Sequence, residues 1–572
     1  MDLRKYNIYF HTHTISGIFI AAILYVIFFA GSFAFFKDDI SAWQKGTSIV
    51  ARKPVQKFNP VIDSLADKHN LQGRNLDFYM QRQGQGAYVS MSASADTTIT
   101  KPKPKPKKEE KRRGRGRRGG DDDSAYFLYS FTENKAAGEY ANAYDMGEFL
   151  YRLHFLAQLN QVFPFNIGTP IGYLIAGIVS FLFLFALITG LLLHWDKIKS
   201  NFFVFRPLSK WKTVWTDMHT ALGVIGFPFQ LVFAVTGVVL IVNYVILSPF
   251  ASLLYEGNSE KLYESLQYNR SMTAEYTYKP MKAGFDLDAF VSKWKKEWKG
   301  SEITRVSVRN YMDESMQVTL ESKPNPQAAF AGSGLVQMEV VSGKILAKKS
   351  PTTDGNYIDT VKSLVFHLHF GDFGGKPLRI VFFILGLMGC VVIISGILIW
   401  FVARDKVSTD AYKRKFNFWA SNVFLATCLS MLPVTAFTFI MLKTLPKVDQ
   451  TAIYHTYFYS WLILSVYFII RRDFPLMNRQ TLLFSIVLCL GVPIANGIST
   501  GLWMWTTWGQ GAFDIFFIDA LFLALSVCCA FAYRRVRMEA KPFKVLKNEK
   551  REHTTFKTQS LKVNVNFKSY DN

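Results

Sequence analysis

Eight runs of roughly 20 apolar residues dominate this chain of 572 residues, at 15–36, 171–194, 220–247, 378–402, 416–442, 453–470, 481–505 and 513–533. Each is long enough to cross the hydrocarbon layer of a bilayer, where every backbone N–H and C=O must find its partner within the segment. The pattern predicts a mainly α, polytopic membrane protein. Half of the residues are hydrophobic and only 19% are charged, which excludes a disordered scaffold and argues against a cytosolic enzyme. The first run is longer and more aromatic than a signal-peptide core. No small-residue cleavage site follows it before Phe35, Phe36 and Lys37, so it is expected to stay as a span.

Charge sets the expected topology. Segment 195–212 carries Lys197, Lys199, Arg206, Lys210 and Lys212, and segment 403–415 carries Arg404, Lys406, Lys413, Arg414 and Lys415. Arg471, Arg472, Arg479 and a basic tail at 534–572 follow on the same side, whereas the alternating connections are poor in Lys and Arg. By the positive-inside rule both termini are cytoplasmic. The net charge of +23 is therefore read as topology and contact with anionic lipid, and no nucleic-acid motif accompanies it. The five cysteines, Cys390, Cys428, Cys489, Cys528 and Cys529, all lie in apolar runs, which gives no sign of a disulfide framework or a Cys-based zinc site.

The expected organisation is span one within 1–36, an outside module at 37–165, span two at 166–194 and a cytoplasmic loop at 195–212. Span three at 213–249, a second outside module at 250–370 and span four at 371–405 follow, then four further spans in 406–533 and the tail 534–572. Residues 59–80 and 285–309 each read as an amphipathic helix followed by a strand, with further alternating stretches at 316–321 and 336–346. Both modules are thus α+β. The tract 101–123, with 11 basic and 5 acidic residues, cannot build a core and is expected to be a disordered loop.

Self-similarity is the most informative pattern. Span one opens with His13 and Gly17 and later has Gly31; span three opens with His219 and Gly223 and later has Gly237, at identical spacings. Eighteen residues make five helical turns, so His13 and Gly31 share a face, as do His219 and Gly237. Leu153-His154-Phe155 precedes span two as Leu368-His369-Phe370 precedes span four, and the two spans end in Ile188-Thr189-Gly190-Leu191-Leu192 and Ile394-Ser395-Gly396-Ile397-Leu398. Residues 1–200 and 210–405 read as two copies of one unit, related by a pseudo-two-fold axis along the membrane normal.

Histidines at membrane level are costly unless partnered. A lone one is ordinarily a satisfied interfacial side chain, but four at matched positions point to function. A proton relay is weakened by the scarcity of carboxylates in spans one to four, and a zinc site by the absence of HExxH and Cys/His clusters. Bis-imidazole ligation of two haem b groups fits the pattern best, because a four-helix bundle can hold a porphyrin between facing histidines. His13 and His154 lie at opposite ends of one hairpin, so the pairing expected is His13 with His219 and His154 with His369. His194, at the inner end of span two, is the substitute inner ligand. His11, His367 and His455 lack repeat partners, and Arg152, Asp372 and the trio Trp503, Trp505 and Trp508 are weaker candidates for support or exchange roles.

The paired helix openings, the two Leu-His-Phe stretches, His369-Phe-Gly-Asp-Phe-Gly-Gly375 and the matched span endings resemble the PepSY-associated transmembrane family over about 1–405. That family includes iron-regulated membrane proteins and ferric-siderophore reductases of Gram-negative bacteria. The resemblance implies an inner-membrane protein with a duplicated four-helix haem core and PepSY-like outside modules, which reduces a ferric siderophore or other ferric chelate in the periplasm. Spans five to eight and the basic insert depart from the family pattern. No GxGxxG fingerprint follows a strand, so a quinol or a separate reductase would supply the electrons. The alternatives are a non-enzymatic PepSY protein that binds peptides or restrains a protease, and a transporter.

Overall fold

The computed structural model describes residues 2–48, 55–81, 84–99, 124–131, 133–162, 170–206, 208–256, 262, 275–326, 328–406 and 408–538. The basic insert 101–123 and the tail beyond 538 lie outside the described residues. Among the described residues, eight helices are long and apolar enough to cross a membrane. Span one is Leu3–Ala34 and span two Ile171–Leu193. Span three belongs to a helix, Trp211–Leu254, and span four to another, Gly375–Arg404. Spans six, seven and eight are Gln450–Arg471, Phe474–Thr500 and Phe513–Met538.

Span five differs from the uniform run expected at 416–442. It is two helices, Ala411–Leu429 and Met431–Thr444, joined at Ser430. Pro433 supplies the reason, since its missing N–H and its ring break the ladder one turn back. Span seven ends earlier than the apolar run does, because Gly501 closes it in the left-handed conformation at φ 70°.

Spans one to four form a closed ring: one packs on two, two on three, three on four, and four on one. The C-terminal spans stack against this ring through spans one and four. A buried polar knot fastens the two parts. The Trp43 indole N–H donates to Asp519 of span eight at 2.7 Å, Asn496 donates to the other carboxylate oxygen at 3.0 Å, and the Lys443 ammonium donates to the Trp43 carbonyl at 2.6 Å.

Of the described helices outside the spans, five position the rest: α1 (Lys37–Lys45), α2 (Asn59–Ala66), α3 (Met146–His154), α4 (Leu287–Glu297) and α5 (Tyr357–Phe370). The strands are β1 (Leu76–Met80), β2 (Gly86–Met91), β3 (Ala125–Ser130), β4 (Lys135–Glu139), β5 (Ser301–Arg309), β6 (Gln317–Pro324), β7 (Gly334–Glu339) and β8 (Ile345–Lys349). The stretch 336–346, read from sequence as one alternating run, is the end of β7 and the start of β8, with Gly343 turning the chain at φ 67°.

The two expected α+β modules are one body. All eight strands join in a single antiparallel sheet of order β4-β3-β2-β1-β5-β6-β7-β8, and the seam is the pairing of the first strand of each copy, Phe78 opposite Val306. The helices meet across the same seam, where Asn59 of α2 donates to Asp286, the cap of α4, at 2.8 Å. Alternation along the strands separates the two faces. Leu76, Phe78, Val306, Val308, Val318 and Leu320 turn inward against α2 and α4 in a core of their own, each contributing about 1.5–3 kcal/mol by leaving water. Tyr79, Arg305, Thr319 and Glu321 point to the opposite face, which overhangs the membrane helices.

Candidate functional site

The ring of spans one to four brings the four repeat-related histidines into two pairs. The His13 and His219 rings lie 6.1 Å apart, centroid to centroid, with their planes 68° apart. Those of His154 and His369 lie 5.9 Å apart at 41°. Both pairings are the ones expected from the repeat. The depths differ as well: His154 reaches the carbonyl of Ile27, 14 residues along span one from His13, a rise of about 21 Å.

Local sequence sets each ring. His154 is the last residue of α3, a helix capped by Asp145 and tied down through Glu148, which takes Arg152 at 2.5 Å, the Tyr140 hydroxyl at 2.7 Å and the Lys37 ammonium. Burial alone would raise the Glu148 carboxyl, but Lys37 and Arg152 outweigh it and hold it down at about 2. His369 lies in the last turn of α5, which begins in an Asn356/Asp359 capping box and ends at Gly371, φ 59°.

Every one of the four rings spends Nδ1 on a hydrogen bond. His13 donates to the Ala186 carbonyl at 2.9 Å and His219 to that of Val392 at 2.8 Å, both 173 residues away. His154 donates to the Ile27 carbonyl at 2.8 Å, and His369 to the Thr236 hydroxyl at 2.9 Å. A carbonyl can only accept, so Nδ1 carries the proton in the first three. Thr236 commits its own proton to the Val232 carbonyl at 2.6 Å, which imposes the same tautomer on His369. The lone pair of each neutral ring therefore stands on Nε2, the atom that can bind a metal.

Glycines make room for these rings. A Cβ at Gly190 would lie 3.0 Å from His13 Cε1, and one at Gly396 the same distance from His219 Cε1. At Gly31 it would clash with the edge of the His154 ring, Nδ1 being the nearest atom, while Gly237 leaves 3.9 Å to His369 Cε1. The first glycines of the motif behave differently: a Cβ at Gly17 or Gly223 meets nothing within 4 Å. Close approach to the inner pair is thus made at Gly190 and Gly396, the glycines of the two matching span endings, and not at Gly17 or Gly223.

A cavity of about 1200 Å3 surrounds the His154/His369 pair, lined by Gly31, Phe183, Phe233 and Gly237 and roofed by Tyr79 and Arg305 of the sheet. Beside it a polar cleft of about 1330 Å3 runs under the sheet, and Phe35, Tyr151, Phe366 and Phe370 border both.

The other candidates stand apart from the pairs. His367 turns to the polar cleft, its Nδ1 bonded to Asp372 at 2.5 Å and its ring against Phe330. Asp372 is engaged there and with Lys323 at 3.9 Å, and Arg152 serves Glu148. His194 caps span two beyond Gly190 and is an electrostatic neighbour of His219. His11 lies against Phe10, and the exposed His455 stacks on Tyr459. Trp503 and Trp505 stack 5.2 Å apart, while Trp508 packs on Phe513.

The fold is that of a multi-pass membrane protein in which spans one to four form a ring beside one antiparallel sheet. The model of the PepSY-associated TM region matches residues 10–403, and the chain belongs to that family. No curated protein matches the chain.

Proposed function

We propose that this protein is a di-haem oxidoreductase of the bacterial inner membrane, which passes electrons outward across the bilayer to reduce a ferric siderophore or another ferric chelate in the periplasm. The observation that carries the reading is the spacing of the two histidine pairs with all four Nδ1 atoms already committed. Two imidazoles that share one metal through Nε2, at about 2 Å per bond and about 1.1 Å from nitrogen to ring centre, stand about 6 Å apart. The observed separations are 6.1 and 5.9 Å.

Among the described residues no group of three or more His, Cys, Asp or Glu side chains converges as a metal cluster would. A porphyrin would supply the remaining ligands of a metal held by two imidazoles, and the open sides of Gly17 and Gly223 and the 1200 Å3 cavity give such a flat group room. Bound haem supplies one-electron chemistry at each level. The chain's own part is positional. His13 and His219 hold the inner site and His154 and His369 the outer one, with Nδ1–H bonds fixing ring orientation and ligand basicity. The aromatic wall between cavity and cleft keeps water from the outer site, while the polar cleft under the sheet receives the chelate. The Lys and Arg of the short loops favour the cytoplasmic side for both termini, and a quinol or a separate reductase is the donor in this reading.

The test is the visible spectrum of the purified protein. Sharp α and β bands on dithionite reduction, reduced in amplitude by His13→Ala and by His369→Ala, are expected. Reduction of a ferric chelate on the periplasmic face of right-side-out vesicles completes the assignment. A colourless, folded protein would leave the peptide-binding or transport readings.

A further inference from the structure

We infer that Thr236 is a positioning residue whose hydroxyl supports His369 less strongly than a main-chain carbonyl supports each of the other three histidines, and that this gives the outer centre the greater affinity for an electron. The inference rests on the di-haem reading. It starts from the repeat, whose spans keep an offset of 206 residues, from His13 to His219, Gly31 to Gly237 and Ala186 to Val392, while the outer histidines His154 and His369 are 215 apart. Under that register the carbonyl that serves His154, that of Ile27, has its counterpart in Phe233. His369 does not use it. Its Nδ1 meets the Thr236 hydroxyl at 2.9 Å, and the position equivalent to Thr236 in the first copy is Ala30, which has no polar atom to offer.

Thr236 is built for this contact. A β-branched side chain in a helix has few rotamers, and threonine steadies one of them by donating to the carbonyl four residues back. Here that carbonyl is Val232, at 2.6 Å, with Phe233 a weaker second acceptor at 3.4 Å. The residue is 4% exposed, so water has no easy way to replace it. The hydroxyl oxygen therefore presents a lone pair to His369 in a fixed direction.

The chemical consequence follows from the acceptor. An amide carbonyl pulls harder on an N–H than an alcohol oxygen does. The imidazole that donates to a carbonyl is the more basic ligand and favours the oxidised metal, whereas the one that donates to a hydroxyl favours it less. His13 and His219 both have carbonyls, but the sheet-side pair has one carbonyl and one hydroxyl. Two otherwise duplicated sites thus become unequal, and the inequality runs in the direction of outward electron flow.

The experiment is a redox titration of the full-length protein in detergent, followed in the haem bands. Bands are assigned to the inner and outer centres by their loss in His13→Ala and His154→Ala variants. Thr236→Val keeps the shape and removes the acceptor, and Thr236→Ser keeps the oxygen. The expected result is an upward shift of the outer midpoint potential in T236V, with the inner one unmoved and T236S close to wild type. Loss of the outer centre alone in T236V, with retention in T236S, is the same effect at its limit and also supports the assignment. Unmoved potentials, a downward shift, equal shifts of both centres, or a T236S variant that behaves like T236V would overturn it while leaving the two-haem reading intact. A colourless wild type would overturn that reading and this inference with it.

Discussion

Asp77 of β1 accepts from Arg305 of β5 at 2.8 Å and from Arg309 at 3.1 Å, so one carboxylate holds the seam at which the two halves of the sheet meet. Burial alone would raise this carboxyl, but Arg309 and Arg305 outweigh it, and the Ser307 hydroxyl adds a bond at 2.7 Å. The folded-state pKa is thus below the unfolded value of about 3.9, and the stabilisation is complete above that pH and lost as the pH falls beneath it. Asp77→Asn leaves two guanidinium groups short of a counter-charge and is expected to cost about 2–4 kcal/mol. Thermal unfolding of the two proteins at pH 7 and pH 3 checks this: the variant melts lower at pH 7, and the gap narrows at pH 3.

Glu148 links the sheet-side histidine to the membrane ring. It binds Lys37 of α1 and Arg152 of its own helix and sits six residues before His154. Glu148→Gln strands two cations in a buried place, at a cost of about 3 kcal/mol. On the proposed di-haem reading, the expected outcome is a selective loss of the band amplitude assigned to His154/His369, with that assigned to His13/His219 kept. Wild type keeps the link from neutral pH down to about 4, and loses it between there and about 2 as the carboxyl protonates.

Much of this was legible beforehand, for reasons that differ between features. Spans are announced by length and hydropathy alone, and the histidine pairing by a repeat that fixes equal depth for His13 and His219. The seam was not legible. Alternation identifies β1 and β5 as strands, but it carries no information on which edge a strand 225 residues away will join. The acceptors of Ala186, Val392 and Ile27 are main-chain carbonyls, which every residue has, so no side chain marks them. Thr236 stands where the first copy has Ala30, but most other positions of the two helices differ as well, so nothing in the sequence singles that hydroxyl out.

The knot at Trp43 makes a separate claim about spans five to eight. Asp519 is fully buried and takes its two hydrogen bonds from Trp43 and Asn496. Trp43→Phe retains the packing on Phe439 but removes the N–H, leaving one carboxylate oxygen unsatisfied at a cost of about 1–3 kcal/mol. Limited proteolysis is expected to cut the variant faster in the connections between spans five to eight than in the sheet. An unchanged cleavage pattern would show that the bundle is held by its apolar contacts instead.

Gly17 and Gly223 separate a packing role from a ligand role. Neither has protein within 4 Å of where a Cβ would stand, so Gly17→Leu should fold and insert as wild type does. Contrast Gly31→Leu, where the new side chain clashes with the edge of the His154 ring and overpacking costs about 1–3 kcal/mol. If a flat group fills the space beside Gly17, the leucine competes with it, and G17L loses the inner haem while its melting temperature without haem stays unchanged. Gly223→Leu should give the same result from the other wall. Full haem content in both variants, measured by pyridine haemochrome, would mean that the space beside these glycines faces lipid, and the inner group would then have to lie against other surfaces of spans one and three.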